Sequence, residues 1–300
     1  MSKKSQKRMD LFCYHIIINA LVGGPSMTTI SERLAEVAYL IETEFQRFKD
    51  LGELAKRVHI SKFHFHRMFV AQFGISPADY LRKHKLHRAA FQLVYTRKSV
   101  LDIALSVSYN SQESFTRAFK KEFELTPGIF RKQHHIECKT FCSNTWSDFQ
   151  KEYELSGPVQ MTFHPLNMLT YRYTGLYDNL HEGWTWFLRE IMKQELDCDV
   201  RQTWMLHLDH PNWTAPTEMR VDLAVEYAGE QLAEPPLYSK SIPSFQTLRF
   251  EFRGDLLDLS DVYDGIYSLF ILPQQWKLAD FPLMEAYDAE KLVIYIPILN

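Results

Sequence analysis

The sequence predicts a multidomain chain: an all-α half with two helix-turn-helix units, followed by an α+β half built as a tandem β-α-β-β repeat. Three observations carry that expectation. Residues 61–82, SKFHFHRMFVAQFGISPADYLR, are echoed at 111–132 by SQESFTRAFKKEFELTPGIFRK. The charge divides by half: residues 1–140 hold 23 Lys and Arg against 13 Asp and Glu, whereas residues 141–300 hold 11 against 24. In the second half the order strand, helix, strand, strand occurs twice, each time opened by a strand that runs into a glycine, Thr170–Gly175 and Leu248–Gly254. A length of 300 residues with 46% hydrophobic and 24% charged side chains suits about two domains with real cores.

A basic half joined to an acidic half implies that the first meets a polyanion and the second does something else. The chain begins with a basic segment and an apolar run from Leu11 to Val22. That run is too short to span a bilayer and lacks a convincing small-residue cleavage site. Residues 1–27 are therefore expected to be a poorly ordered extension, with Met27 as an alternative start, and the protein is expected to be cytoplasmic, with no membrane partner. Four cysteines without disulfide spacing fit a reducing compartment.

Residues 28–133 read as helices in succession. Leu34, Val37, Leu40, Ile41, Phe45 and Phe48 recur at three- and four-residue spacing over 31–48. A short helix over 51–58 and a turn at His59 and Ile60 lead to Ser61, a hydroxyl suited to cap the next helix. Within each copy of the repeat, phenylalanines every four residues form one apolar stripe, Phe65, Phe69 and Phe73 in the first and Phe115, Phe119 and Phe123 in the second. Arg67 and Arg117 fall on another face. A helix with one apolar and one basic face, placed after a short helix and a tight turn, is the helix-turn-helix pattern. Ser76 and Pro77 open a long helix to about Tyr95, roughly 28 Å at 1.5 Å per residue. That approaches the ~34 Å between successive major-groove faces of B-DNA, so this rod can hold two readers about one turn apart.

The most specific stretch, VLDIALSVSYNSQESFTRAFKKEFELTPGIFR at 100–131, resembles the DNA-binding domain of the AraC/XylS transcription regulators. The first unit, SKFHFHRMF, is most similar to the branch of small stress and drug-resistance activators that bind as monomers. Carried over by position, the resemblance implies that Lys62, Phe63, His66 and Arg67 face the duplex from the first helix. From the second it implies Gln112, Glu113, Thr116 and Arg117. The chain departs from the family where His59 and Ser108 replace turn glycines and where Phe63 and His66 stand for the usual Trp and Gln. The chemistry of these side chains agrees with the assignment. Arginine donates a bidentate pair to guanine, Gln112 suits adenine, Thr116 or Phe63 suits a thymine methyl, and Glu113 can accept from cytosine or keep clear of phosphate. Lys56, Arg57, Lys62, Arg82, Lys83, Lys85, Lys120, Lys121, Arg131 and Lys132 are expected at phosphates, where they set register. Recruitment of RNA polymerase is implied by the resemblance alone.

No cofactor and no metal is expected. His64, His66, His84 and His87 lack a Cys or carboxylate array at ligand spacing. His134, His135, Cys138 and Cys142 lie in 134–157, a stretch that reads as a linker.

Residues 158–300 alternate as strands at 168–174, 204–209, 220–227, 246–253, 283–287 and 291–298, with helices at 180–196 and near 259–272. This half is similar to the GyrI-like effector-binding domain: the two strand-to-glycine openings, Pro235 and Pro236, Ile242 and Pro243, and the ending MEAY followed by LVIYIPI carry the likeness. The resemblance implies an aromatic-lined cleft for bulky, often cationic or amphipathic small molecules, with Glu285 as its carboxylate. Tyr173, Trp184, Trp204, Trp213, Tyr267 and Tyr287 are candidates to line it, by residue type and strand position. Two other readings stay open for this half: a hydrolase of reactive small compounds, although no Ser-His-Asp or Cys-His set shows recognisable spacing, and a module that binds another protein. The expected whole is a regulator of transcription that binds double-stranded DNA and responds to a small-molecule effector, and not an enzyme.

Overall fold

The computed structural model describes residues 34, 37, 38, 40–42, 51–57, 61–134, 145–229, 231, 233, 234, 236–279, 281–287 and 291–299. The expected extension at 1–27, the turn residue His59 and the cluster at 135–142 lie outside them. By its contacts the chain divides into two units. One comprises residues 33–144 together with Ser260–Gln275; the other holds Thr145–Leu259 and Trp276–Asn300.

The first unit is helical: α1 (Leu51–Arg57), α2 (Lys62–Phe73), α3 (Pro77–Tyr95), α4 (Val100–Ser106), α5 (Gln112–Phe123) and α6 (Pro127–His134). Hydroxyl caps start four of them. The side chains of Ser61, Ser76, Ser99 and Ser111 each accept a hydrogen bond from the backbone N–H three residues on, at 3.0–3.3 Å. Each bond satisfies a donor that the first helical turn leaves without a partner. Buried Leu34, Val37, Ala38 and Ile41 form a core with Leu54, Ala55, Phe65, Phe69 and Tyr80.

The internal repeat survives at the level of rings. In the first copy Phe69 stacks obliquely on Phe73 at 4.4 Å, and Tyr80 closes on both at 5.3 and 5.5 Å. In the second, Phe119 meets Phe123 at 4.6 Å, and Phe130 closes on both at 5.2 Å. The rod α3 is bound to both copies. At one end the Tyr80 hydroxyl hydrogen-bonds the buried Glu42 carboxylate. At the other, the Leu93 carbonyl accepts from Arg131 Nε at 3.2 Å, and Gln92 Oε1 accepts from the Ser106 hydroxyl at 3.2 Å.

Both recognition-type helices end in a left-handed residue: Gly74, φ +73°, after α2 and Glu124, φ +61°, after α5. Ser108, at a turn position that glycine usually fills in the family, is left-handed too, φ +63°. The left-handed well costs a side chain about 1–2 kcal/mol, part of which glycine loses again to chain entropy. Glu124→Gly is therefore expected to stabilise the full chain by about 0.5–1 kcal/mol, seen as a higher urea midpoint. A lower midpoint would mean that the Glu124 side chain contributes more than its backbone strain removes.

The second unit is one eight-stranded antiparallel sheet of β1 (Leu155–Phe163), β2 (Leu166–Thr174), β3 (Asp199–His207), β4 (Arg220–Glu226), β5 (Leu237–Ile242), β6 (Phe245–Phe252), β7 (Leu283–Tyr287) and β8 (Leu292–Ile298). Its order, β1-β6-β8-β7-β3-β4-β2-β5, reads the same from either end once the two repeats are exchanged, so an approximate two-fold relation passes between β7 and β3. The expected strand-helix-strand-strand unit holds, with one further strand in front of each copy. Those leading strands, β1 and β5, are the sheet edges. Pro158 lies in β1 at a break in register between Ser156 and Val159, a position where proline is tolerated because its missing donor faces no neighbour.

Residues 145–157, expected to belong to a linker, are folded. Thr145 caps α7 (Trp146–Glu152), Phe149 is fully buried, and β1 begins at Leu155. The helix α8 (Leu180–Lys193) lies over one face of the sheet, its Trp186 and Phe187 against Tyr171 of β2. At Gly183 helix and strand lie close: a Cβ there would sit 2.6 Å from the Tyr173 ring. Gly183→Ala is expected to cost about 1–3 kcal/mol by overpacking, measured by thermal unfolding. No loss would mean that the Tyr173 ring is free to move. The predicted helix near 259–272 is α9 (Leu259–Gly265) continued by π-helical turns over Ile266–Ile271.

Candidate functional site

The outward face of the first unit follows from the apolar stripe. Because Phe65 and Phe69 are buried, Lys62, Phe63, His66 and Arg67 of α2 point into solvent, Phe63 with 78% of its surface exposed. In α5 the burial of Phe115 and Phe119 leaves Gln112, Glu113, Arg117 and Lys120 exposed and Thr116 half-buried. The structure thus gathers all nine expected residues on the faces of two helices braced by one rod. Of the expected phosphate contacts, the Arg57 side chain lies outside those described and Lys85 is half-buried; the others separate into two groups. Lys56, Lys62, Lys120, Lys121 and Lys132 are exposed. Arg82 pairs with Asp79, Lys83 lies 3.6 Å from Glu122, and the Arg131 guanidinium is bonded to the carbonyls of Leu93 and Lys98. Arg131 therefore holds α6 to α3, a role that sequence spacing gives no means to foresee.

In the second unit, strand register sorts the expected cleft residues. Tyr171, Leu223, Met205, Glu285 and Ile294 lie opposite one another across β2, β4, β3, β7 and β8, and so share the face that α8 covers. Glu285 has 0% of its surface exposed. The Tyr287 hydroxyl donates to Glu285 Oε2, and His207 Nε2 lies 3.0 Å from the same oxygen, off the line of a good hydrogen bond. From the turn before α8, the Tyr177 hydroxyl meets His207 Nδ1 at 2.7 Å with the two rings parallel. Burial, then the Glu285 charge, raises both the Tyr287 and Tyr177 phenols well above their ordinary range. Both phenols therefore stay neutral at any physiological pH, and Tyr287 stays a donor to Glu285.

Of the seven expected ligand residues, the structure brings Glu285 and Tyr287 together. Tyr173 is on the same face, its hydroxyl donating to the Leu176 carbonyl at 3.0 Å. Trp184 is buried against Phe187 at 5.8 Å. Trp204 pairs with Ala286 and so points to the other face, where it packs with Phe163 and Tyr295. Tyr267 packs on Tyr95 and Phe91 in the helical unit. Trp213 stacks on His210 at 3.8 Å. His207 and Tyr177 were not expected; an alternation of faces counted from Glu285 across β3 would have found the histidine. Among the described residues no group of three or more His, Cys, Asp or Glu is placed to hold a metal ion, and no described helix is long and apolar enough to cross a membrane.

Two recognition-type helices on one rod define a bipartite helix-turn-helix DNA-binding unit, joined here to a sheet unit with a buried carboxylate among phenols. Family comparison makes this specific. A helix-turn-helix domain model matches residues 54–133, and a GyrI-like small molecule binding domain model matches residues 158–299. The Tn10 TetD protein of Escherichia coli is 35% identical over 99 residues, 33% of this chain and 72% of that protein. The probable transcription factor PqrA of Proteus vulgaris is 39% identical over 94 residues, 31% of this chain and 77% of that one. The HTH-type transcriptional regulator YbfP of Bacillus subtilis is 36% identical over 138 residues, 45% of this chain, and the match spans less than half of YbfP, 44%. The chain belongs to the AraC-type helix-turn-helix transcriptional regulators and carries a GyrI-like small molecule binding domain.

Proposed function

We propose that the chain reads an asymmetric duplex site with α2 and α5 in successive major grooves, and that a lipophilic aromatic cation bound at Glu285 modulates that reading. The duplicated outward faces, Lys62, Phe63, His66 and Arg67 on one helix and Gln112, Glu113, Thr116, Arg117 and Lys120 on the other, support the first part. Arg67 and Arg117 make no ion pair among the described residues, so their guanidinium forks are available to guanine edges. Regulation through contact with RNA polymerase, in the cytoplasm, follows from the family resemblance.

The observation that carries the effector reading is Glu285: a fully buried carboxylate beside Tyr287, His207 and Tyr177. Ring faces and a desolvated negative charge together favour a cation with aromatic surface. Binding duplexes selected from a random pool test the DNA part. Each of Arg67→Ala and Arg117→Ala is expected to lose about 1–3 kcal/mol on the selected site and to relax discrimination at one base pair. Equal losses on selected and random duplex would place both arginines at the backbone. Footprinting of a single chain should protect two turns of one face; protection of one turn alone would overturn the two-groove reading.

One observation favours a second reading. The Tyr177 hydroxyl is hydrogen-bonded to His207 Nδ1, and His207 Nε2 lies 3.0 Å from Glu285 Oε2, a phenol–imidazole–carboxylate sequence of the kind that general acid–base hydrolysis uses. Repeated turnover of an electrophile by the full chain, lost in Glu285→Gln, would establish it over sensing.

A further inference from the structure

One stretch belongs to the small-molecule half by sequence and to the reader by contact. Ser260–Gln275 falls inside the matched residues 158–299, between β6 and β7, yet packs within the unit of residues 33–144. The attachment is aromatic. The Tyr267 ring lies on Tyr95 with centroids 4.1 Å apart at 33°, and meets Phe91 edge-on at 5.7 Å and 83°. Tyr95, Tyr267 and Asp264 are all buried, and the Asp264 side chain is hydrogen-bonded to that of Tyr95. The Arg88 guanidinium sits 5.7 Å above the Phe91 ring, near enough to Tyr267 to act on its phenol. Ring pairs of this kind stabilise beyond the area they bury, and the buried carboxylate–phenol bond fixes the angle at which the segment docks.

The place of attachment on α3 gives the contact a consequence. Phe91 and Tyr95 share the last turns of the rod with Gln92 and Leu93. Those two residues hold the second reader: Gln92 Oε1 accepts from Ser106, and the Leu93 carbonyl accepts from Arg131. Whatever moves the rod here moves the seat of α5. The docking segment also has an unusual backbone, since the π-helical turns over Ile266–Ile271 fall where Tyr267 makes its contacts. Such turns are rare and concentrate at functional positions. Tightening to an α-helix would shift the register by one residue and rotate the side chains that follow by about 100°. An element that passes a signal between sites needs two discrete arrangements, and a one-residue change of register in these turns would supply the second. From its end the chain runs through 276–282 into β7, the strand of Glu285.

We infer that residues 260–275 are the arm by which occupancy of the Glu285 site alters the seating of the second reader helix. The ligand part of this inference rests on the effector reading above. The test uses the full chain in three forms: unaltered, Tyr267→Ala, and Asp264→Asn, the last keeping side-chain shape in case loss of the ring impairs folding. Tetraphenylphosphonium serves as the probe. In the unaltered chain it is expected to change the Kd for a selected duplex at least about fivefold. In the variants that change should fall below about twofold, while the probe Kd measured without DNA stays within about twofold of the unaltered value. A folded variant that keeps the full effect overturns the inference, as does an unaltered chain that binds the probe with no effect on DNA. Failure of the probe to bind at all sinks the effector reading instead. The arm is then judged by hydrogen exchange alone: Asp264→Asn must speed exchange of amides 88–95, and unchanged rates overturn it.

Discussion

Glu285→Gln is expected to weaken binding of a lipophilic aromatic cation to the full chain by about 2–5 kcal/mol, the loss typical when one member of a desolvated charged contact is neutralised. By calorimetry that is more than a tenfold rise in Kd. The size of the effect follows from burial. Glu285 has no exposed surface, so its field on a ligand is little screened by water. The Tyr287 hydroxyl that donates to it is held neutral, first by its own burial and then by the Glu285 charge, and orients the carboxylate without cancelling it. Tyr287→Phe should accordingly lose only about 1 kcal/mol, the net value of one hydrogen bond. Trp204→Phe supplies the control, because Trp204 occupies the other face of the sheet and should leave the Kd within about twofold. A larger response to Trp204 than to Glu285 would move the ligand to that other face.

Asp222→Ala is expected to destabilise the chain by about 3–5 kcal/mol, the loss associated with breaking a buried ionic cluster from one side. Asp222 of β4 has no exposed surface. Its Oδ1 accepts from Arg172 Nε at 2.7 Å and from the Tyr238 hydroxyl at 3.0 Å, and its Oδ2 accepts from Arg172 Nη2 at 3.1 Å and from the buried Lys240 ammonium. Removing the carboxylate would leave two cations close together with their common acceptor gone. The same cluster gives a pH dependence. Burial alone would raise the Asp222 carboxyl, but the Arg172 and Lys240 charges outweigh burial and hold it below the ordinary value of 3.8. A depressed folded value means that the stabilisation is complete above the unfolded value and is lost as pH falls through the folded one. Urea midpoints should therefore fall in strong acid for the unaltered chain, with this contribution missing from Asp222→Ala. A parallel acid slope in both would show that other carboxylates set the acid limit.

The reader half was legible because its signals are local. Phenylalanines four apart, a serine three residues before the second turn and a Ser-Pro or Thr-Pro break each fix their own neighbourhood, and the structure returns all of them as stripe, cap and helix start. The sheet half was legible where alternation is clean, as in β2 and β6. It was not at β1, where Gly157 and Pro158 look like a boundary, because only an edge strand with an irregular register can carry proline there. Nor was it at β5, whose Lys240 reads as a solvent residue until Asp222, eighteen positions earlier, is known to lie within reach. Candidate ligand aromatics could be chosen by type, but their faces depend on register, which pairs residues far apart in sequence. Counting from Glu285 separates Trp204 from Tyr287. Nothing in the spacing of Tyr267 shows that it would stack on Tyr95.

The exchange of leading strands between repeats has a consequence for how the chain is made. β1 finds its partner in β6, and β5 completes the far edge beside β2, so neither repeat can close a sheet from its own residues. Early synthesis leaves β1 waiting for a stretch that emerges much later, and pairings this distant form slowly. The helical unit, too, has contacts that are completed only by residues 260–275. A chain that stops before those residues lacks part of both units by contact.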